Sequence, residues 1–125
     1  MSLRTPLGTV LGLGSAKGGT DHFWGQRLSG MGLVILGLWF VVSLLAMPGF
    51  SYADAMEFVA APFNAVMLLL LVLTVAYHSN LGLQTVIEDY VGGHGARLAS
   101  LIVSRFIHVF FAVAAVYAIV KVGLG

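Results

Sequence analysis

Residues 63–87 read FNAVMLLLLVLTVAYHSNLGLQTVI, and this run decides the fold. It follows Pro62 and exceeds the roughly 20 apolar residues that one helix needs to cross a bilayer. It is apolar through its first half, then admits His78, Asn80 and Gln84, with Asn64 near its start. Polar groups at that depth are not tolerated against lipid, so one face of this helix must look at protein or a cofactor.

Two similar runs flank it. Leu28 to Met47 follows Arg27 and stops at Pro48-Gly49, while Leu98 to Val120 carries Arg105 and His108 in its first half and has Tyr117 and Lys121 near its end. The expected architecture is all-α and integral to the membrane, a single domain over 1–125. It has a tail over 1–22 and three transmembrane helices at about 27–47, 63–88 and 98–121. Cations set the orientation. Arg4, Lys17 and Arg27 precede the first span, Arg97 and Arg105 lie at the start of the third, and the first connection holds Asp54 and Glu57 with no cation. The amino terminus and its tail are therefore expected in the cytoplasm, and the carboxy terminus outside.

Composition agrees. Of the 125 residues 59% are hydrophobic and 9% charged, far below the charge of a water-soluble domain. There is no cysteine, which excludes iron–sulphur ligation, thiolate zinc and cysteine nucleophiles in this chain. A net charge of +1 with scattered basic residues offers no field for nucleic acid. Glycines at 8, 12 and 14 interrupt the apolar residues of the amino terminus before a secretory core can form, so the tail is expected to be retained. Gly12 to Gly18 superficially resembles a phosphate loop but lacks a preceding strand and room for a βαβ unit.

Between the first two spans, Ser51 and Asp54 stand at capping-box spacing, which suits either a short interfacial helix or a plain linker. Gly25 and Ser29, and Ala114 and Ala118, have the small-xxx-small spacing that lets helix backbones approach closely.

The chemistry sits in Tyr77 to Tyr90. On a helix, His78, Gly82, Thr85 and Asp89 share a face, with His78 and Asp89 about 20° apart in azimuth and roughly 16 Å apart along the axis. His78 lies within the hydrocarbon, where it needs a partner. It serves either as a ligand to haem iron, with Gly82 leaving room for a flat ring, or as a hydrogen-bonding group to a neighbouring helix. Asp89 and Tyr90 lie at the cytoplasmic edge, suited to proton supply and to hydrogen-bonding a quinone carbonyl, or to a simple helix end with Asp89 paired to Arg97. His108 has a depth comparable with His78, so a haem held between the two is geometrically open. Arg105 is expected either to face a propionate or, preferably, to snorkel to the interface, and His22 and His94 are expected on solvated surface.

His78, ten residues and then Asp89-Tyr90, with Gly82 between them in the second of three spans, resembles the D-type membrane anchor subunit of succinate dehydrogenase. The stretches Arg4-Thr5-Pro6-Leu7, Gly12 to Lys17 and His22-Phe23-Trp24-Gly25-Gln26-Arg27 are similar to the bacterial and mitochondrial-like branch of that family. The resemblance covers essentially the whole chain. It implies a membrane-anchor domain packed with a companion C-type cytochrome b anchor subunit into a six-helix bundle in a bacterial inner membrane. His78 would be one axial ligand of haem b, the companion would supply the other, and Arg27 would lie near the haem propionates. Tyr90 and Asp89 would serve the ubiquinone site. Further implied partners are an iron–sulphur subunit and a flavoprotein subunit that oxidises succinate. The alternatives are the anchor of a quinol:fumarate reductase, or a non-redox membrane assembly or transporter subunit in which His78 and Asp89 form a proton relay.

Overall fold

The computed structural model describes Leu7, Val10 and residues 19–125. The glycine-rich stretch Gly12 to Gly18 lies outside the described residues. Among residues 19–125 four helices follow one another: α1 Gly19–Leu45, α2 Tyr52–Ala60, α3 Pro62–Tyr90 and α4 His94–Leu124. No strand occurs among the described residues.

Three of these, of 27, 29 and 31 residues, are long and apolar enough to cross a membrane. At 1.5 Å per residue each exceeds about 40 Å, more than the ~30 Å hydrocarbon core, so their ends project or the helices tilt. α1 begins at Gly19, inside the stretch read as tail, with Asp21 in its first turn where a negative charge complements the helix dipole.

The punctuation is local chemistry. Pro48 lies just past α1, where it cannot continue a helix. Ser51 and Asp54 form the capping box expected from their spacing: Asp54 N–H donates to Ser51 Oγ at 3.2 Å, and Ser51 N–H donates to Asp54 Oδ2 at 2.9 Å. That decides between helix and linker in favour of α2. The Ser51 hydroxyl and backbone N–H hold the exposed Asp54 carboxyl below its ordinary value. Ala61 ends α2 and starts α3 together, donating to Glu57 O and accepting from Ala65 N–H, with Pro62 at the first helical position. Gly93 carries φ 85°, a left-handed conformation that suits glycine, and turns the chain from α3 into α4.

α3 is the central element. α1 and α4 each pack along it, and their backbones do not approach one another within 8 Å between Cα atoms. At the α2 end, Trp39 stacks on Phe58 and meets Phe63 edge-on, both at 6.2 Å between centroids, so one ring of α1 joins α2 and α3. Only Leu68, Ile87, Ile119 and Ser104 are buried among the described residues, while side chains such as Val34, Leu38, Phe106 and Phe110 are largely exposed. Apolar surface on this scale is the face of a multi-pass membrane protein, turned to lipid or to other helices.

Candidate functional site

His78 projects from α3 against α1. Its Nδ1 lies 2.9 Å from Ser29 Oγ, and its Nε2 lies 3.4 Å from the amide nitrogen of Gln26. The Ser29 hydroxyl also lies 2.6 Å from Gly25 O and 3.2 Å from Gln26 O on its own helix. Glycine brings the α1 backbone to the ring: a Cβ on Gly30 would stand 3.3 Å from His78 Cε1. Gly25 plays the same part for Tyr77, whose hydroxyl would be 2.6 Å from an added Cβ. The small-residue spacing of Gly25 and Ser29 thus marks the α1–α3 contact.

Two buried polar atoms of α1 have no partner, Oε1 of the same Gln26 side chain and, one turn earlier, His22 Nε2. His22, expected on solvated surface, is half-buried with that nitrogen covered. Gly82 faces the Gln26 amide, whose nitrogen would be 3.5 Å from a Cβ there. The room ascribed to a flat ring is therefore lined by an amide.

The remaining site residues lie apart. Asp89 is exposed, and Tyr90 is 84% exposed in the last turn of α3. Arg97, the alternative partner for Asp89, instead donates from Nε to Val91 O at 3.3 Å. Arg27 is exposed at the same end, its guanidinium 5.0 Å from the Phe23 ring centroid. His108 on α4 donates from Nδ1 to Ser104 O at 2.8 Å. Because His78 faces α1 and α4 does not reach α1, the two histidines do not share a pocket. A haem held between them within this chain is not supported.

A largely apolar groove runs on the other side of α3, between it and α4, lined by residues such as Leu101, Ile102 and Val109, with Asn80, Gln84, Ser104 and Arg105 among them. The interrupting polar residues of the central run therefore divide between two faces, His78 to α1 and Asn80 and Gln84 to α4.

Among the described residues no three His, Asp or Glu side chains converge as a metal-binding group, but an axial haem ligand requires only one. The His78 surroundings fit that role. One ring nitrogen is anchored at ordinary hydrogen-bond distance, the other has only a long amide contact, and the Gln26 side chain that makes this contact carries a buried oxygen without a partner. Ser29 and Gln26 were not singled out as neighbours of His78 by sequence reading, because they stand 49 and 52 residues from it in the chain.

Residues 1–120 match the family described as succinate dehydrogenase/fumarate reductase transmembrane subunit. The chain is 34% identical over 121 residues to a succinate dehydrogenase hydrophobic membrane anchor subunit of Paracoccus denitrificans, covering 97% of this chain and 93% of that protein. Proteins of the same name from Rickettsia bellii and Rickettsia conorii are 33% and 34% identical, each alignment covering 85% of both chains.

Proposed function

The chain belongs to the succinate dehydrogenase/fumarate reductase transmembrane subunit family, and from that premise we propose that it is the hydrophobic anchor of a succinate:quinone oxidoreductase, co-ligating a b-type haem and helping to form the ubiquinone site. The observation that carries the site reading is His78, half-buried between α1 and α3 with Nδ1 anchored and Nε2 contacted only at 3.4 Å.

In this reading His78 Nε2 would hold the iron together with a histidine of a companion C-type anchor. Exposed apolar faces on α1 and α4 receive that companion and lipid. Bound there, the haem supplies one-electron redox chemistry within the membrane. Arg27, whose guanidinium is matched to carboxylates, would hold the haem propionates. The amino terminus lies in the cytoplasm of a bacterial cell, because Arg27 and Arg97 stand at the same end of the antiparallel bundle as Asp89 and Tyr90, with Asp54 and Glu57 at the other.

Succinate is oxidised on a flavoprotein subunit, and an iron–sulphur subunit brings electrons to the membrane. Quinone takes two electrons and two protons to become quinol. The Tyr90 hydroxyl donates a hydrogen bond to its carbonyl, and Asp89 passes protons from the adjacent water. This chain anchors, orients and moves protons; it does not touch succinate.

The test is a reduced-minus-oxidised visible spectrum of the complex purified through this chain, parent against His78→Ala. A b-type signal present in the parent and abolished in the variant is expected. A signal unchanged in the variant would assign ligation to other chains, and its absence from both would favour a non-redox membrane assembly.

A further inference from the structure

We infer that Ser29 is a positioning residue for the His78 imidazole: its hydroxyl oxygen accepts a hydrogen bond from Nδ1–H, fixing the tautomer and presenting Nε2 as a strengthened donor to iron. The inference rests on the haem-ligation reading and deepens it.

The argument is a count of protons. The Ser29 hydroxyl has one hydrogen and three close neighbours, Gly25 O at 2.6 Å, His78 Nδ1 at 2.9 Å and Gln26 O at 3.2 Å. Two of these are carbonyl oxygens, which only accept. The shortest contact, to Gly25 O, takes the hydroxyl proton, so the bond to His78 runs the other way, from Nδ1–H to Oγ. A neutral imidazole protonated at Nδ1 has its lone pair on Nε2. Donation by Ser29 to its own carbonyl polarises the oxygen and makes it a better acceptor for Nδ1–H.

Anchoring the far nitrogen of a metal-bound histidine orients the ring and raises its basicity. A more basic imidazole stabilises ferric over ferrous iron and so lowers the potential. Gly30, with no Cβ to push against Cε1, keeps the ring within reach of the hydroxyl.

The experiment uses the intact complex purified through this chain, in parent, Ser29→Ala, Ser29→Thr, Ser29→Cys and His78→Ala forms. Haem content, haem midpoint potential and the ferric EPR signal, which reports axial imidazole orientation, are measured. Ser29→Ala is expected to retain haem with about tenfold weaker binding. Its potential should be more positive; if the whole tenfold falls on the ferric form, the shift is about 59 mV. The EPR signal should move as well. Ser29→Thr, which keeps a hydroxyl, should restore the parental values, a rescue that a purely packing role would not give. If Ser29→Ala fails to assemble, Ser29→Cys takes its place: a thiol fills the same space but accepts weakly, and a positive shift is again expected. A parental potential and EPR signal in Ser29→Ala or Ser29→Cys overturns the inference while loss of haem in His78→Ala keeps the ligation reading. Haem unaffected by His78→Ala removes both.

Discussion

Replacing Gly30 with Ala measures how tightly α1 holds the imidazole. The new methyl stands 3.3 Å from His78 Cε1 and 3.8 Å from Nδ1, close enough that the ring must give by a few tenths of an ångström. That carries the 2.9 Å contact between Nδ1 and Ser29 Oγ toward the long end of the hydrogen-bond range. The net value of such a bond is about 0.5–1.5 kcal/mol, so weakening it lowers haem affinity by up to about two- to tenfold. Helix stability does not suffer, since Ala is favoured over Gly by roughly 1 kcal/mol in water. Gly25→Ala is the informative comparison. By distance it clashes harder, at 2.6 Å, but with the hydroxyl end of Tyr77, a side chain 54% exposed that can swing aside, and its other close neighbour is Leu81 Cδ1 at 3.3 Å rather than the imidazole. The expected order of haem loss is therefore opposite to the order of the clashes. The assay is haem per assembled complex, together with the rate of haem transfer to an excess of apomyoglobin. Equal haem retention in the two variants, or greater loss in Gly25→Ala, would refute the reasoning.

Four further outcomes are expected. Ser51→Ala removes the cap of α2 and costs about 1 kcal/mol, read as faster amide exchange over residues 52–60. The Asp54 carboxyl is held below its ordinary value by the Ser51 hydroxyl and backbone N–H. Its contribution is complete above the unfolded value near 3.9 and is lost as pH falls through the lower folded value, so α2 exchange, corrected for intrinsic rate, should rise only below about pH 4. Trp39→Ala removes two ring pairs that join α1 to α2 and α3, at about 0.5–1.5 kcal/mol each. It should lower the melting temperature in detergent, and Trp39→Phe should recover most of the loss. Tyr90→Phe deletes one exposed hydroxyl and should reduce quinone reduction about tenfold with succinate-to-dye activity unchanged, the size of one lost hydrogen bond at the reacting carbonyl.

Features set by neighbours in the chain were legible in the sequence. The lengths of the three apolar runs, Pro48 after the first, Pro62 before the second and the Ser51–Asp54 spacing depend on residues a few places apart, and the helices follow them. Gly25 and Ser29 were read as a packing signal. Their contact with Tyr77 and His78 agrees with that and adds a chemical role that spacing does not express. His22 was misjudged because its place before the first apolar run suggested water, whereas the helix extends back to Gly19 and carries it against buried surface.

By itself the sequence determined that this is a helical membrane protein with a histidine too deep to go without a partner, because hydropathy and the cost of a polar group in hydrocarbon follow from residue type and position in a run. Which partner that histidine has was decided by tertiary structure alone. α3 lies between α1 and α4, which turns His78 toward Ser29 and Gln26 and away from His108. Helical periodicity names the residues that share a face, but the helix facing them depends on how elements distant in sequence pack, and that packing determines which imidazole nitrogen is left for a ligand.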